Sequence, residues 1–190
     1  MTRPVPGWDE VLIALGSNLE PREEHLRWAL EALAEAVVLT RASSVVETPP
    51  LGHPGQGPYL NMVVRGTTEL GPHALLERLL EIEKTRGRTR TVPGAARTLD
   101  LDLLFHGDRV IREPGLTLPH PRWAGRRFVV EPLLEVAPGF RDPESGLPLA
   151  EAARPELFTG WIRKVAPPPE LPALPRPSPG SPAPSSPIRS

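Results

Sequence analysis

Arg97-Thr98-Leu99-Asp100-Leu101-Asp102-Leu103-Leu104-Phe105 is the stretch on which the reading of this chain turns. Leu99, Leu101 and Leu103 alternate with Asp100 and Asp102. In a strand, side chains two residues apart share a face, so both carboxylates project together while the leucines bury behind them. Their Cα atoms then lie roughly 7 Å apart. Carboxylates so placed can converge on one hard cation or bridge two, and a Mg²⁺ ion is the usual reason to keep such a pair. Removing one of them should relieve repulsion in the metal-free protein. The plain alternative is a half-exposed edge strand with solvated aspartates. Arg86, Arg88, Arg90 and Arg97, all within twelve residues, tilt the balance toward chemistry. Cations packed beside carboxylates suit a polyphosphate–metal complex.

Working outward, Val11-Leu12-Ile13-Ala14-Leu15 reads as a buried central strand that ends in a turn at Gly16-Ser17-Asn18. Pro21, Glu23 and Glu24 suit a helix start, and Leu26, Leu30, Leu33 and Val37 form its apolar stripe. Residues 38–47 read as a second strand, and residues 48–58 as a Pro- and Gly-rich loop of the kind that carries binding groups. A third strand covers residues 59–64. Pro72 opens a second helix with Leu75, Leu76, Leu79 and Ile82 inward, and the arginine loop and aspartate strand follow. The order βαββαβ predicts an α+β sandwich with a mainly antiparallel sheet. Its helices cover one face, and the other is left for a site.

Beyond Phe105 the signals are shorter. Residues 110–111 suit an edge segment, and Leu118-Pro119-His120-Pro121-Arg122 is a stiff turn. Residues 128–136 read as a helix despite Pro132, Gly146 lies in a turn, and residues 149–158 form a last short helix. From Ala166 onward ten of 25 residues are Pro, a composition that cannot order itself by burial. The expected organisation is an N-terminal tail (1–8), one domain (9–165) and a Pro-rich disordered tail (166–190).

At 190 residues the chain is long enough for one real core. Its net charge of −1 provides no long-range attraction to nucleic acid or acidic membrane. With no cysteine, disulfides and thiolate metal sites are excluded. No apolar run suits a membrane span, and residues 1–8 lack a signal peptide's core. A cytoplasmic, monomeric protein acting on small molecules is expected, with neither nucleic acid nor membrane as partner.

Neither a P-loop nor a dinucleotide-binding glycine motif is present, so phosphate must be gripped by side chains, for which Arg is well suited. Tyr59 and Asn61 share a strand face, offering a ring to stack on and an amide for the edge of a heterocycle. His120 stands rigidly between two prolines, within reach of a phosphate or ribose. Taken singly, each of these has a plain structural reading: a core tyrosine, a solvated basic loop, a surface histidine.

Together they resemble the 6-hydroxymethyl-7,8-dihydropterin pyrophosphokinase family of the folate pathway. The likeness is carried by Leu15-Gly16-Ser17-Asn18, Thr48-Pro49-Pro50-Leu51-Gly52, Tyr59-Leu60-Asn61, Gly87-Arg88-Thr89-Arg90, Arg97 to Asp102, and Leu118-Pro119-His120-Pro121-Arg122 with Arg126 and Phe128. It implies a ferredoxin-like fold and the transfer of diphosphate from ATP, the co-substrate, to a pterin alcohol. It further implies two Mg²⁺ ions on Asp100 and Asp102, and catalytic roles for Arg88 and Arg97 beside them. Tyr59 and Phe128 would sandwich the pterin, with Asn61, Thr48, Pro49 and Leu51 at its edge. Glu83, Arg88, Arg90, Arg97, Leu103 (by its backbone), Thr117, His120 and Arg126 would surround ATP. The sequence departs from many members at Pro93-Gly94-Ala95-Ala96, where they carry an Arg-Trp pair on a loop that closes over both substrates, and at Pro121, where some carry an aromatic. No side chain is assigned as general base. Two rivals are a nucleotide-sugar transferase, which also uses D-x-D, and an RNA-binding module on the same sandwich.

Overall fold

The computed structural model describes residues 7–50, 55–87 and 96–172. Leu51, Arg88 and Arg90, and with them the arginine loop, lie outside the described residues. A single antiparallel sheet runs β5-β1-β4-β3-β8, with β2 also pairing to β4. Its strands are β1 (Asp9–Ser17), β2 (Val38–Ala42), β3 (Val45–Thr48), β4 (Tyr59–Thr68), β5 (Asp100–His106) and β8 (Arg163–Ala166). A separate hairpin joins β6 (Ile111–Glu113) to β7 (Leu116–Leu118). The helices are α1 (Arg22–Leu33), α2 (Pro72–Thr85), α3 (Arg127–Val136) and the short α4 (Leu149–Ala152). The expected βαββαβ order and antiparallel sheet are observed. No helix among the described residues is long and apolar enough to cross a membrane.

One face follows the predicted periodicity. Val11, Ile13 and Leu15 of β1 and Leu99, Leu101 and Leu103 at β5 bury against Leu26, Leu30 and Leu33 of α1 and Leu75, Leu79 and Ile82 of α2. The opposite face is not left bare, contrary to expectation. Leu12, Val63, Leu104 and Phe105 pack there against Trp123 and against Val129, Val130, Leu133 and Val136 of α3. Phe105 meets Trp123 edge-on, with ring centroids 5.2 Å apart. Leu104 reaches this second core by the same alternation as the aspartates, and a register shift opposite Leu12 and Ile13 brings Phe105 to it as well. The second face is therefore divided, apolar under α3 and polar at the end where Asp100 and Asp102 emerge.

Several boundaries differ from the sequence reading. The strand expected over 59–64 runs on to Thr68 as β4, and the helix expected over 149–158 stops at Ala152. β1 continues through Gly16 to Ser17 instead of turning there. The strand expected over 38–47 breaks at Ser43-Ser44. Ser43 N–H still donates to the Val63 carbonyl at 2.9 Å, but the Val63 N–H turns to Ser43 Oγ at 2.9 Å and the Ser44 N–H to Glu135 Oε2 at 2.9 Å, so side chains take over part of the ladder at that point. The domain boundary at 165 cuts through β8, which pairs with β3, and Leu171 packs on the first core. Residues 173–190 of the expected Pro-rich tail lie outside the described residues.

Candidate active site

The polar end of the second face is built from three neighbouring strands. In the ladder, Gly16 of β1 stands opposite Asn61 of β4 on one side and Asp100 of β5 on the other. One step along, Ala14 lies between Val63 and Asp102. Gly16 and Ala14 form a low floor, with Tyr59 and Asn61 on one bank and both aspartates on the other. A Cβ on Gly16 would meet Asn61 Oδ1 at 3.1 Å and Asp100 Cβ at 3.9 Å, so a larger residue would crowd the floor.

A cleft of about 1820 Å³ opens over this floor. Thr48, Pro49, Tyr59, Asn61, Glu83, Arg97, Asp100, Asp102, Leu103, Thr117, His120, Arg126 and Phe128 all line it. Every described residue of the expected set therefore falls in one cavity. Two of them act differently from a simple ligand contact. Leu103 buries its side chain in the first core, leaving only its backbone for the cleft. Glu83 is 2% exposed and accepts the Leu101 N–H at 2.7 Å, which fastens α2 to the aspartate strand.

Each aspartate is paired with a cation. Arg97 Nη1 donates to Asp100 Oδ2 at 2.5 Å, and Arg126 Nη1 to Asp102 Oδ2 at 3.0 Å. His120 Nε2 lies 3.8 Å from the same Asp102 oxygen, while its Nδ1 accepts the Arg122 N–H at 3.2 Å. Burial holds His120 below the ordinary imidazole pKa; Asp102 opposes this and Arg126 and Arg122 reinforce it. Burial likewise lowers Arg126, against the pull of Asp102. For Arg97 burial acts downward too, but Asp100, Tyr59 and Asp102 outweigh it and the pKa rises. The guanidinium of Arg126 also stands 5.7 Å from the Phe128 ring.

On the other bank Asn61 Nδ2 donates to Thr48 Oγ1 at 3.0 Å, and Tyr59 lies opposite Thr48 in the β3–β4 ladder. Asn18, which the sequence places in a turn and in a segment shared with the family but gives no role of its own, links the two banks. It accepts the Arg97 N–H at 2.7 Å and donates from Nδ2 to Gln56 at 3.0 Å. Arg122 and Arg154 also line the cleft, and sequence reasoning gave neither a role. Of the arginine quartet, Arg86 is turned away. Its Nε donates to His25 Nδ1 at 2.8 Å, and its guanidinium lies 5.1 Å from the Trp28 ring.

The carboxylate pair suits Mg²⁺, which commonly takes one or two carboxylates and fills its shell with waters and substrate phosphates. No cluster of three or more His, Cys, Asp or Glu able to hold a metal occurs among the described residues, so a self-sufficient protein cage is not what this donor set resembles. A cation here would share its ligands with a polyphosphate.

Comparison with known proteins agrees with this geometry. Residues 12–138 match the model of the family described as 7,8-dihydro-6-hydroxymethylpterin-pyrophosphokinase (HPPK). The 2-amino-4-hydroxy-6-hydroxymethyldihydropteridine pyrophosphokinase of Bacillus subtilis is 45% identical over 126 residues, covering 65% of this chain and 75% of that one. The protein of the same name from Synechocystis is 41% identical over 137 residues, covering 71% and 70%. The mitochondrial folate synthesis bifunctional protein of Pisum sativum is 42% identical over 129 residues, 67% of this chain but 25% of its own length. Among solved structures, Plasmodium falciparum HPPK-DHPS with pteroate superposes with a TM-score of 0.62 at 12% identity, over 76% of this chain and 42% of that one. At that identity the likeness speaks for the fold alone.

Proposed function

The chain belongs to the 7,8-dihydro-6-hydroxymethylpterin-pyrophosphokinase family, and from that premise we propose how its own residues carry a diphosphate from ATP to the hydroxymethyl group of the reduced pterin. The pterin oxygen attacks the β-phosphorus, the bond between the α- and β-phosphates breaks, and AMP leaves. Such transfers need positioning and charge neutralisation more than covalent help. Tyr59 and Phe128 hold the pterin by its faces. Asn61, oriented by Thr48, reads its edge, assisted by Pro49 and Leu51. Glu83, Thr117 and the Leu103 backbone bound the nucleotide.

Asp100 and Asp102 would hold two Mg²⁺ ions. When bound, these supply polarisation of the transferred group and activation of the incoming hydroxyl. Both carboxylates are paired with guanidinium groups, Asp100 with Arg97 and Asp102 with Arg126. On binding, the two arginines exchange these carboxylates for phosphate oxygens, leaving the carboxylates to the metal. Arg88 and Arg90 add charge from the arginine loop. His120, held neutral by burial at ordinary pH, donates a hydrogen bond rather than a second full charge beside Arg126. The enzyme acts as a cytoplasmic monomer on this reading.

The observation that carries the proposal is the projection of Tyr59, Asn61, Asp100 and Asp102 from one sheet face across the Gly16 floor. Incubation with ATP, Mg²⁺ and the reduced pterin alcohol tests it. AMP should accumulate in step with the pterin diphosphate, and release of ADP in its place would refute the transfer.

A further inference from the structure

Glu47 stands directly before Thr48 on β3, is 7% exposed, and points to the sheet face opposite the cleft. A carboxylate so buried persists only with charged partners, and it has two. Arg22 Nη1, at the first residue of α1, donates to Glu47 Oε1 at 3.0 Å. Arg163 Nη2, on the C-terminal strand β8, donates to Glu47 Oε2 at 2.5 Å. Arg22 Nη1 also donates to the Pro58 carbonyl at 3.0 Å, while its Nε donates to Glu20 at 2.7 Å. One guanidinium therefore joins the residue before Thr48 to the residue before Tyr59. Those two residues are cross-strand partners that line the cleft.

From the back of the sheet, we propose, Arg22, Glu47 and Arg163 form an ionic clamp that sets the spacing of Thr48 and Tyr59, making Arg22 a positioning residue for pterin recognition and β8 part of that machinery. The inference rests on the pterin-site reading above. On the front face Asn61 already ties Thr48 by a hydrogen bond of 3.0 Å. The clamp does the same from behind, so both stems of the segment are fixed on both faces of the sheet. Two features argue for positioning over mere stability. An apolar residue at 47 would match its neighbours Val45 and Leu60, which belong to the first core. Arg22 Nη1 also bridges two chain segments, Glu47 on β3 and the Pro58 carbonyl, which a simple charge partner would not need. The partners differ in exposure: the Arg22 side chain is 20% exposed and that of Arg163 68%, so solvent screens Arg163 the more. β8 is held independently by Lys164, whose Nζ lies 3.2 Å from Glu135 Oε1 on α3.

Steady-state kinetics with both substrates varied, together with melting temperatures, test the clamp on the full chain. Arg22→Met should raise KM for the pterin alcohol about tenfold and leave KM for MgATP within about twofold. Arg22→Lys keeps the charge but has no Nε to hold Glu20, so the side chain is less firmly aimed and the effect should be intermediate. Arg163→Met should raise the pterin KM only about two- to threefold, as suits an exposed partner. The double variant Arg22→Met with Glu47→Met leaves no buried charge unpaired, so stability should recover while the pterin KM stays high. A KM that recovers with stability, or that rises equally for both substrates, would overturn the clamp. Asn61→Ala serves as reference. A raised pterin KM there with none in Arg22→Met refutes the clamp alone, whereas no change in Asn61→Ala refutes the pterin site on which it rests.

Discussion

Asp102 has Arg126 Nη1 at 3.0 Å and His120 Nε2 at 3.8 Å, and Asp100 has Arg97 at 2.5 Å. This pairing reverses one expectation drawn from the sequence. Two carboxylates on one strand face suggest repulsion that a deletion would relieve, yet each charge is already answered. Asp102→Ala should therefore abolish turnover and also destabilise the protein, by about 1–3 kcal/mol, because the largely buried Arg126 loses its counter-charge. Thermal melts of the metal-free variant decide the point, and a raised melting temperature would mean that repulsion dominates after all. The arginines were visible in the sequence as a cluster. Their division of labour was not, because Arg86 is claimed by His25 and Trp28 on α1, which no local pattern encodes.

Elements were legible where their signal was local. The Asp/Leu alternation of β5, the stripe of α2 with the Pro at its start, and the α1 stripe as far as Leu33 each specify their own surroundings and were read correctly; Val37, expected on the same helix, is buried beyond its end. What failed depended on distant partners. β8 is four residues long, carries no period, and exists because β3 offers it an edge more than a hundred residues earlier in the chain. Glycine misled in β1, where Gly16 was taken as a turn but serves as the flat floor between Asn61 and Asp100. Two glycines can be told apart by experiment. At Gly66 of β4 a Cβ would meet Val37 Cγ1 at 2.5 Å and the Val38 carbonyl at 2.7 Å, far from the cleft. Gly66→Ala should cost about 1–3 kcal/mol of stability, as overpacking does, with the kinetics of the folded fraction unchanged. Gly16→Val should do the opposite, sharply reducing kcat/KM with a smaller loss of stability. Equal effects of the two substitutions on kcat/KM would show that the floor is not part of the site.

For the molecule as a whole, α1, β3 and β8 converge on one carboxylate. The hydrogen bond from Arg163 holds Glu47 below the usual carboxylate range; burial works against this and Arg22 reinforces it. A folded-state pKa below the unfolded one means that the unfolded chain binds the proton more readily. The stability from Glu47 is thus present above the unfolded value of about 4.3 and lost as pH falls through the lower folded value. Glu47→Gln should lower the melting temperature at neutral pH and flatten its decline in acid. Parallel curves for variant and wild type across that range would show that Glu47 contributes no acid sensitivity.

The clamp has a consequence in time as well as in space. Proteins are synthesised and fold from the N-terminus onward. The residues proposed to grip ATP and Mg²⁺, and Tyr59, Asn61 and Phe128 proposed to hold the pterin, have all been made once Phe128 has been added. Arg163, which completes the grip on the second substrate, is among the last of the described residues to be joined. A growing or prematurely ended chain would on this reading already carry both substrate sites, with the pterin held about two- to threefold more weakly until Arg163 is in place.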